Sequence, residues 1–201
     1  THGKTTTSTL VSHLFTASGE GCSAFLGGIS KNYGTNLLLS NDSDYVVIEA
    51  DEFDRSFHWL SPYATVITAT DADHLDIYGT KEDYLESFNH YTSLIQPGGF
   101  LIARKGIELA PRLPEGVTLY TYSREEGDFH AENVRIGHGE IHFDYISPLG
   151  NINDICLGVP VAINIENGIA AMALAQISGV DNEEIKTGMA SFRGVDRRFD
   201  F

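Results

Sequence analysis

Thr1-His2-Gly3-Lys4-Thr5-Thr6-Thr7 opens the chain, and Leu10, Val11, Leu14 and Phe15 follow at helical spacing. A glycine, a lysine and a run of hydroxyls entering a helix make up the second half of a phosphate-binding loop, G-x-x-x-x-G-K-[ST]. The chemistry explains the residue types. Backbone N–H groups at a helix start carry no internal partner and can cradle phosphate oxygens. Lys4 can reach the β/γ-phosphates, and the Thr5 hydroxyl can ligate Mg²⁺. The pattern's leading glycine would precede residue 1, so the half-motif also admits a plain helix cap with a solvated lysine. With no initiating Met, the stretch reads as the start of a fragment.

Outward from this stretch, helix and strand signals alternate. A helix is expected from Thr5 to about Ser18, stopped by Gly19-Glu20-Gly21. Ser23 to Leu26 is a short strand candidate ending at Gly27-Gly28, and Ile29 to Leu39 reads as loop. Tyr45-Val46-Val47-Ile48 is continuously apolar, as in a parallel strand buried on both faces. It runs into Glu49-Ala50-Asp51-Glu52-Phe53-Asp54. A second such strand, Ala64 to Thr68, runs into Asp71-Ala72-Asp73-His74-Leu75-Asp76. Ligands of open α/β sheets bind beyond the carboxyl ends of strands, so carboxylates and a histidine arriving there are candidate metal ligands. The first cluster taken alone is equally well a solvated surface, and His74 taken alone is more often a hydrogen-bonded surface or loop histidine; together with Lys4 and Thr5, Glu49 and His74 favour a metal-assisted phosphate site.

The remainder supports an α/β fold, a mostly parallel sheet of P-loop NTPase type flanked by helices. Lys81 to Ile95 is an amphipathic helix, Phe100 to Ala103 a strand, Gly106 to Leu109 the start of a short helix, and Val117 to Tyr122 another strand. From residue 129 to 157 the pattern becomes alternating and predicts a small antiparallel β-meander, with His130, His138 and His142 as surface residues. An apolar helix runs on from Ile163-Asn164-Ile165-Glu166-Asn167 to Gly179, and Asp181 or Asn182 caps a last helix to about Ser191. Arg193, Arg197 and Arg198 then gather in a stretch that is either an exit linker or a nucleotide contact.

Composition excludes several functions. The 201 residues carry a formal net charge of −15, with a sequence pI near 4.7, which opposes a nucleic-acid surface. No apolar run is long enough to cross a membrane as a helix, and no secretory signal is visible. Cys22 and Cys156 form no CxxC and read as thiols of a reducing cytoplasm.

At this point the residues carry a resemblance. Thr1-His2-Gly3-Lys4-Thr5-Thr6-Thr7, the segment from Glu49 (EADEFDRSF), that from Asp71 (DADHLDIYG), that from Ile163 (INIENGIAA) and that from Phe192 (FRGVDRRFDF) resemble, in order and across the whole chain, the central ATP-binding domain of the Mur ligases. EADE-x-D followed by SF, with the closing RRFDF, favours the alanine-adding branch over the others; the branch that recycles UDP-MurNAc-tripeptide is the nearest alternative. The resemblance implies one domain over residues 1–201, lacking an N-terminal UDP-binding domain and a C-terminal domain. It implies ATP and Mg²⁺ as cofactors, and UDP-N-acetylmuramate and L-alanine as substrates of an ATP-dependent amide ligation through an acyl phosphate. Thr1, His2, Gly3, Lys4, Thr5 and Thr6 would form the phosphate loop. Lys4 would bind the transferred phosphate, Thr5 and Glu49 one Mg²⁺, and His74 a second. Asn164 and Asn167 would meet the adenine, and Arg198 the nucleotide. Two positions depart from the pattern: Ile163 replaces a histidine of the adenine segment, and Ala69 replaces an asparagine five residues before His74. Lys81 is given no catalytic role. The 201-residue chain is expected to show little ligase activity and weak nucleotide binding. Another P-loop NTPase or kinase, or a fold fragment with no catalysis, are the competing readings.

Overall fold

The structure, a computed structural model, describes residues 2–196. The described residues divide into two compact units, one of residues 2 and 50–121, the other of residues 3–49 and 122–196. Its sheets are three-stranded, in the orders β2-β1-β3, β4-β5-β6 and β7-β8-β9.

The second unit starts with helix α1, Lys4–Ala17. Gly3 caps it in a left-handed conformation, φ 78°, that glycine adopts without steric cost. Much of the buried face of α1 is hydroxylic. Ser8, Thr9 and Ser12 donate back to the carbonyls of Lys4, Thr5 and Ser8 at 2.7–2.8 Å, so their burial leaves these hydroxyls satisfied. Strand β1, Ser23–Ser30, pairs in parallel with β3, Val46–Ile48, and antiparallel with β2, Thr35–Leu38. The segment read as loop therefore contains a hairpin strand, its turn made by Gly34 at φ 67°. Strand β1 also runs through Gly27 and Gly28 instead of stopping there. Strand β3 corrects a second expectation: Val46 and Ile48 are 57% and 45% exposed. Among the described residues β3 has one hydrogen-bonded neighbour, β1, and an edge strand leaves much of its surface uncovered.

The meander comes out as expected, as β7 (His130–Gly137), β8 (Glu140–Ile146) and β9 (Ile152–Cys156), all antiparallel. Alternation puts Ile141, Phe143 and Tyr145 on the buried face of β8. Helix α4, Ile163–Ile177, packs on β7 and α1, and α5, Asn182–Ser191, packs on β9 and α1. Small residues allow the close approach: Ala170, Ala171, Ala173 and Ala175 of α4 are fully buried. Asp181 caps α5, accepting from the N–H groups of Glu183 and Glu184.

The first unit is built on β4 (Ala64–Ile67) and β5 (Phe100–Arg104), parallel with Ala64 opposite Phe100, and β6 (Thr118–Tyr122) beside β5. Helix α3, Lys81–Thr92, is capped by Thr80, which accepts from the Asp83 N–H. Its Tyr84, Phe88 and Tyr91 join Phe57, Ile67, Tyr78, Ile95 and Leu101 in an aromatic-rich core. A 3-10 helix, Phe53–Trp59, and a single turn, α2 (Leu75–Tyr78), complete it. The short helix expected from Gly106 does not form. The backbone N–H groups of Ala110 and Arg112 instead donate to the Asn89 amide oxygen and the Thr92 hydroxyl of α3, both at 2.8 Å. Pro111 and Pro114 lack the N–H groups that a helix would need.

Candidate phosphate and metal site

Gly3 ends the loop and Lys4 begins α1, so the N–H groups of the first turn point out of the helix past Gly3. No acid stands in that turn, which leaves the positive end of the helix dipole unopposed by its own side chains. A Cβ on Gly3 would lie 2.7 Å from Asn167 Oδ1. The glycine is thus fixed twice, by its left-handed φ and by the amide of α4 against it. Asn167 donates to Asn164 Oδ1 at 3.3 Å, and Asn164 donates to the Val159 carbonyl. Both asparagines are more than nine-tenths buried, while Ile163 is half exposed. The structure therefore seats the Asn167 amide beside Gly3, at the start of α1.

Glu49 follows β3 directly, and its carboxylate is held from two sides. Thr5 Oγ1 donates to Oε1 at 3.0 Å, and the Gly27 N–H donates to Oε2 at 2.9 Å. A Cβ on Gly27 would sit 2.2 Å from Oε2, which is why a glycine stands inside β1 at this point. The Thr5 hydroxyl is buried, and together with Glu49 it presents two adjacent oxygens at the start of α1. A hard divalent cation takes oxygen ligands, and Mg²⁺ in phosphate sites needs one or two protein oxygens beside those of the phosphates. These residues fit that donor set. Among the described residues, no group of three or more His, Cys, Asp or Glu is arranged to hold a metal. A cation here would rest on Glu49, Thr5 and oxygens brought by a nucleotide.

The other acids after Glu49 have local duties. Asp51 Oδ1 accepts from the Phe53 N–H at 3.0 Å, and Glu52 is buried, its carbonyl accepting from the Tyr78 hydroxyl. His2 lies in the same unit as these residues; its carbonyl accepts from Thr68 Oγ1 and its ring stands 4.0 Å from Asp71. His74 precedes α2 with a left-handed backbone, φ 56°, its N–H donating to Asp73 and its ring edge-on to Phe53 at 5.3 Å. Asp54 and Arg55 are left-handed too, and the Arg55 guanidinium lies over the Tyr78 ring at 4.7 Å. Left-handed residues other than glycine are uncommon and gather where function constrains the backbone. The Arg55 stack and the role of Gly27 escaped the reading of the sequence, the run of glycines at 27–28 being the visible sign of the second; Asn167, expected at the adenine, is found against Gly3. Ala69 is buried. Lys81 pairs with Glu108 on the surface, at 2.6 Å. Thr1, Arg197 and Arg198 lie outside the described residues.

Two further histidines contrast in setting. His13 of α1 is buried between two hydroxyls, Tyr33 at 2.7 Å from Nδ1 and Ser191 at 2.8 Å from Nε2, and burial lowers its pKa. His142 of β8 stands between Glu140 and Asp154, whose hydrogen bonds raise its pKa.

With this geometry in hand, comparison with known proteins is direct. The family model described as the Mur ligase middle domain matches residues 1–175. Over all 201 residues the chain is 80% identical to a UDP-N-acetylmuramate–L-alanine ligase of Phocaeicola vulgatus. It is 61% identical over 202 aligned positions to the protein of that name in Parabacteroides distasonis. In both cases the alignment covers the whole chain but 44% of the relative, so the chain spans under half the length of these curated relatives. Among solved structures, a UDP-N-acetylmuramate-alanine ligase from Thermotoga maritima matches with TM-score 0.84 and 28% identity, covering 100% of this chain and 45% of that one. A UDP-N-acetylmuramate:L-alanyl-gamma-D-glutamyl-meso-diaminopimelate ligase from Neisseria meningitides matches with TM-score 0.82 over 98% of this chain and 65% of that one. At 21% identity that second likeness speaks for the fold alone.

Proposed function

The chain belongs to the Mur ligase family through its middle domain, and from that premise we propose that it is the ATP-binding part of a UDP-N-acetylmuramate–L-alanine ligase, acting in the cytoplasm on peptidoglycan precursors. The reaction is the joining of the L-alanine amine to the muramate carboxylate. A carboxylate oxygen attacks the γ-phosphorus of ATP and ADP leaves; the amine then attacks the acyl carbon, phosphate leaves, and the nitrogen loses its proton.

The observation that carries this reading is the Thr5–Glu49 hydrogen bond at the first turn of α1. It joins the Thr5 hydroxyl and a strand-end carboxylate into one oxygen-rich corner beside the N-terminal end of α1. Phosphoryl transfer asks the protein mainly for positioning and charge neutralisation. The α1 N–H groups and Lys4 supply positive potential for the phosphates. Gly3, backed by Asn167, keeps the loop open for close approach of the phosphate oxygens. Thr5 and Glu49 would hold Mg²⁺, with His74 assigned by the resemblance to a second ion. When bound, the metal would offset the repulsion between an anionic carboxylate and the triphosphate. Arg198 is assigned to the nucleotide by the same resemblance.

The test is titration of Mg²⁺-ATP into wild type and Glu49→Ala, together with phosphate release by the protein at its full natural length. Wild type should bind and the variant should not, and phosphate release should require both UDP-N-acetylmuramate and L-alanine. Release that ignores the amine would support a different NTPase and overturn the ligase reading. The 201-residue chain by itself should turn over little.

A further inference from the structure

Gly28 has no left-handed φ to require glycine, and it sits within β1 in the stretch from Phe25 to Ser30 where the register with β2 shifts. Its reason is space. A Cβ there would stand 2.6 Å from Val195 Cγ1 and 3.2 Å from Thr5 Cγ2. Three parts of one unit therefore meet over a single hydrogen atom: strand β1, the first turn of α1, and the segment that leaves α5.

That segment, residues 192–196, is fastened along β1 and the turn after it. Val195 bridges antiparallel to Ser30. The Lys31 N–H donates to the Gly194 carbonyl at 3.0 Å, and the Asp196 N–H to the Ile29 carbonyl at 2.9 Å. The Asn32 side chain closes the other end, donating to the Ser191 carbonyl and accepting from the Arg193 N–H. His13 lies beneath, bonded to Ser191 and 5.9 Å from the Phe192 ring. Phe192 and Val195 are almost wholly buried, so the segment is a packed strap and not a loose linker.

We infer that the strap positions the Thr5 hydroxyl by pressing Val195 across Gly28, which makes Gly28 and Val195 positioning residues for the metal–phosphate corner. The Thr5 methyl is the part of that side chain nearest the space a Gly28 Cβ would take, on whose other side Val195 stands, and rotation of the side chain sets where Oγ1 points relative to Glu49. Strap packing is thereby coupled to the metal-dependent part of nucleotide binding, and less to the part carried by Lys4 and the helix N–H groups. The inference rests on the phosphate-site reading above.

The test compares ATP affinity with Mg²⁺ and with EDTA in the protein at its full natural length. Val195→Ala removes the pressing methyls and adds no atom, while Gly28→Ala inserts one between Val195 and Thr5. Gly28→Ala should weaken Mg²⁺-ATP binding about tenfold, since displacements of an ångström in a positioned group are costly, and leave the affinity in EDTA nearly unchanged. Val195→Ala should move the same ratio in the same direction by about threefold. The Gly28→Ala/Val195→Ala double variant should recover part of the loss, because the new methyl then fills the vacated space. Equal losses with and without Mg²⁺, or an unchanged ratio in Val195→Ala, would overturn the inference while leaving the phosphate site standing. If wild type binds no nucleotide in either condition, the phosphate-site reading fails and the inference falls with it.

Discussion

Two strand ends carry the same kind of sequence and are built in opposite ways. After β3 comes an acidic run, and after β4 comes another with a histidine in it. At the first, the side chain is pinned: Glu49 accepts from Thr5 and from the Gly27 N–H, and an adjacent glycine makes room for it. At the second, the strain sits in the backbone: His74 is left-handed, as are Asp54 and Arg55 in the same unit. One strand end is held by bonds to a carboxylate. The other carries a costly backbone conformation. The first kind of order resists loss of a neighbour poorly; the second would gain stability if the demanding residue were replaced.

That contrast can be broken most severely at Glu49. Glu49→Ala should reduce Mg²⁺-ATP affinity about a hundredfold, read by calorimetry, since it removes the carboxylate oxygen that would hold the metal beside Thr5. Retained affinity would mean that the pinning is structural only. A pair of glycine replacements comes next. Gly27→Ala drives a methyl into the Glu49 carboxylate and should cost about 1–3 kcal/mol by overpacking, measured as a shift in denaturant midpoint. Gly79→Ala, after α2, meets nothing within 4 Å and should lose about 1–2 kcal/mol, from its left-handed φ of 81° alone. Nucleotide affinity should fall in the first and not in the second.

His74→Gly sharpens the other side. Relieving the left-handed backbone should raise stability by about 1 kcal/mol in thermal unfolding while ligase activity at full length collapses. A fall in both would show that His74 serves the fold. The smallest effect concerns pH. His13 titrates lower in the folded chain than in the unfolded one because burial penalises its charge. Its contribution is complete above the unfolded pKa near 6.5 and is lost as pH drops below that value toward the folded pKa. His13→Gln should flatten this decline in chemical denaturation between pH 7 and 5. His142 has the opposite sign, contributing below 6.5 and losing its share as pH rises through its raised pKa.

What could be read from residues alone follows from how local each signal is. Helix α1, the meander and the cap of α5 rest on signals within one segment, and they stand where the pattern put them. The pairing of Thr5 with Glu49 spans 44 residues, yet it was foreseeable because phosphate chemistry demands a hydroxyl and a carboxylate together. The failures needed partners that no local window contains. Strand β2 exists because β1 offers it a ladder, and the exposure of β3 depends on what lies beside it. The helix expected at Gly106 lost to side-chain acceptors on α3. Gly27 and Gly28 looked like a strand terminator; their cause is crowding by Glu49, Val195 and Thr5, which arrive from three other segments.

The hydroxyl-rich face of α1 has a mechanical side. Ser8, Thr9 and Ser12 spend their hydrogen bonds on their own helix, so where these residues touch neighbours the contact has little directional character. Directed bonds to other segments enter at Thr5, on the first turn, and then along the second half of the helix, at His13, at the Ser12 carbonyl and at Thr16, the last two meeting the Cys22 thiol. A rod gripped towards both ends can transmit a twist or a small axial slide from one grip to the other without tearing its bearings. A ligand tugging on the loop and a strap tugging on His13 would then act on one and the same lever.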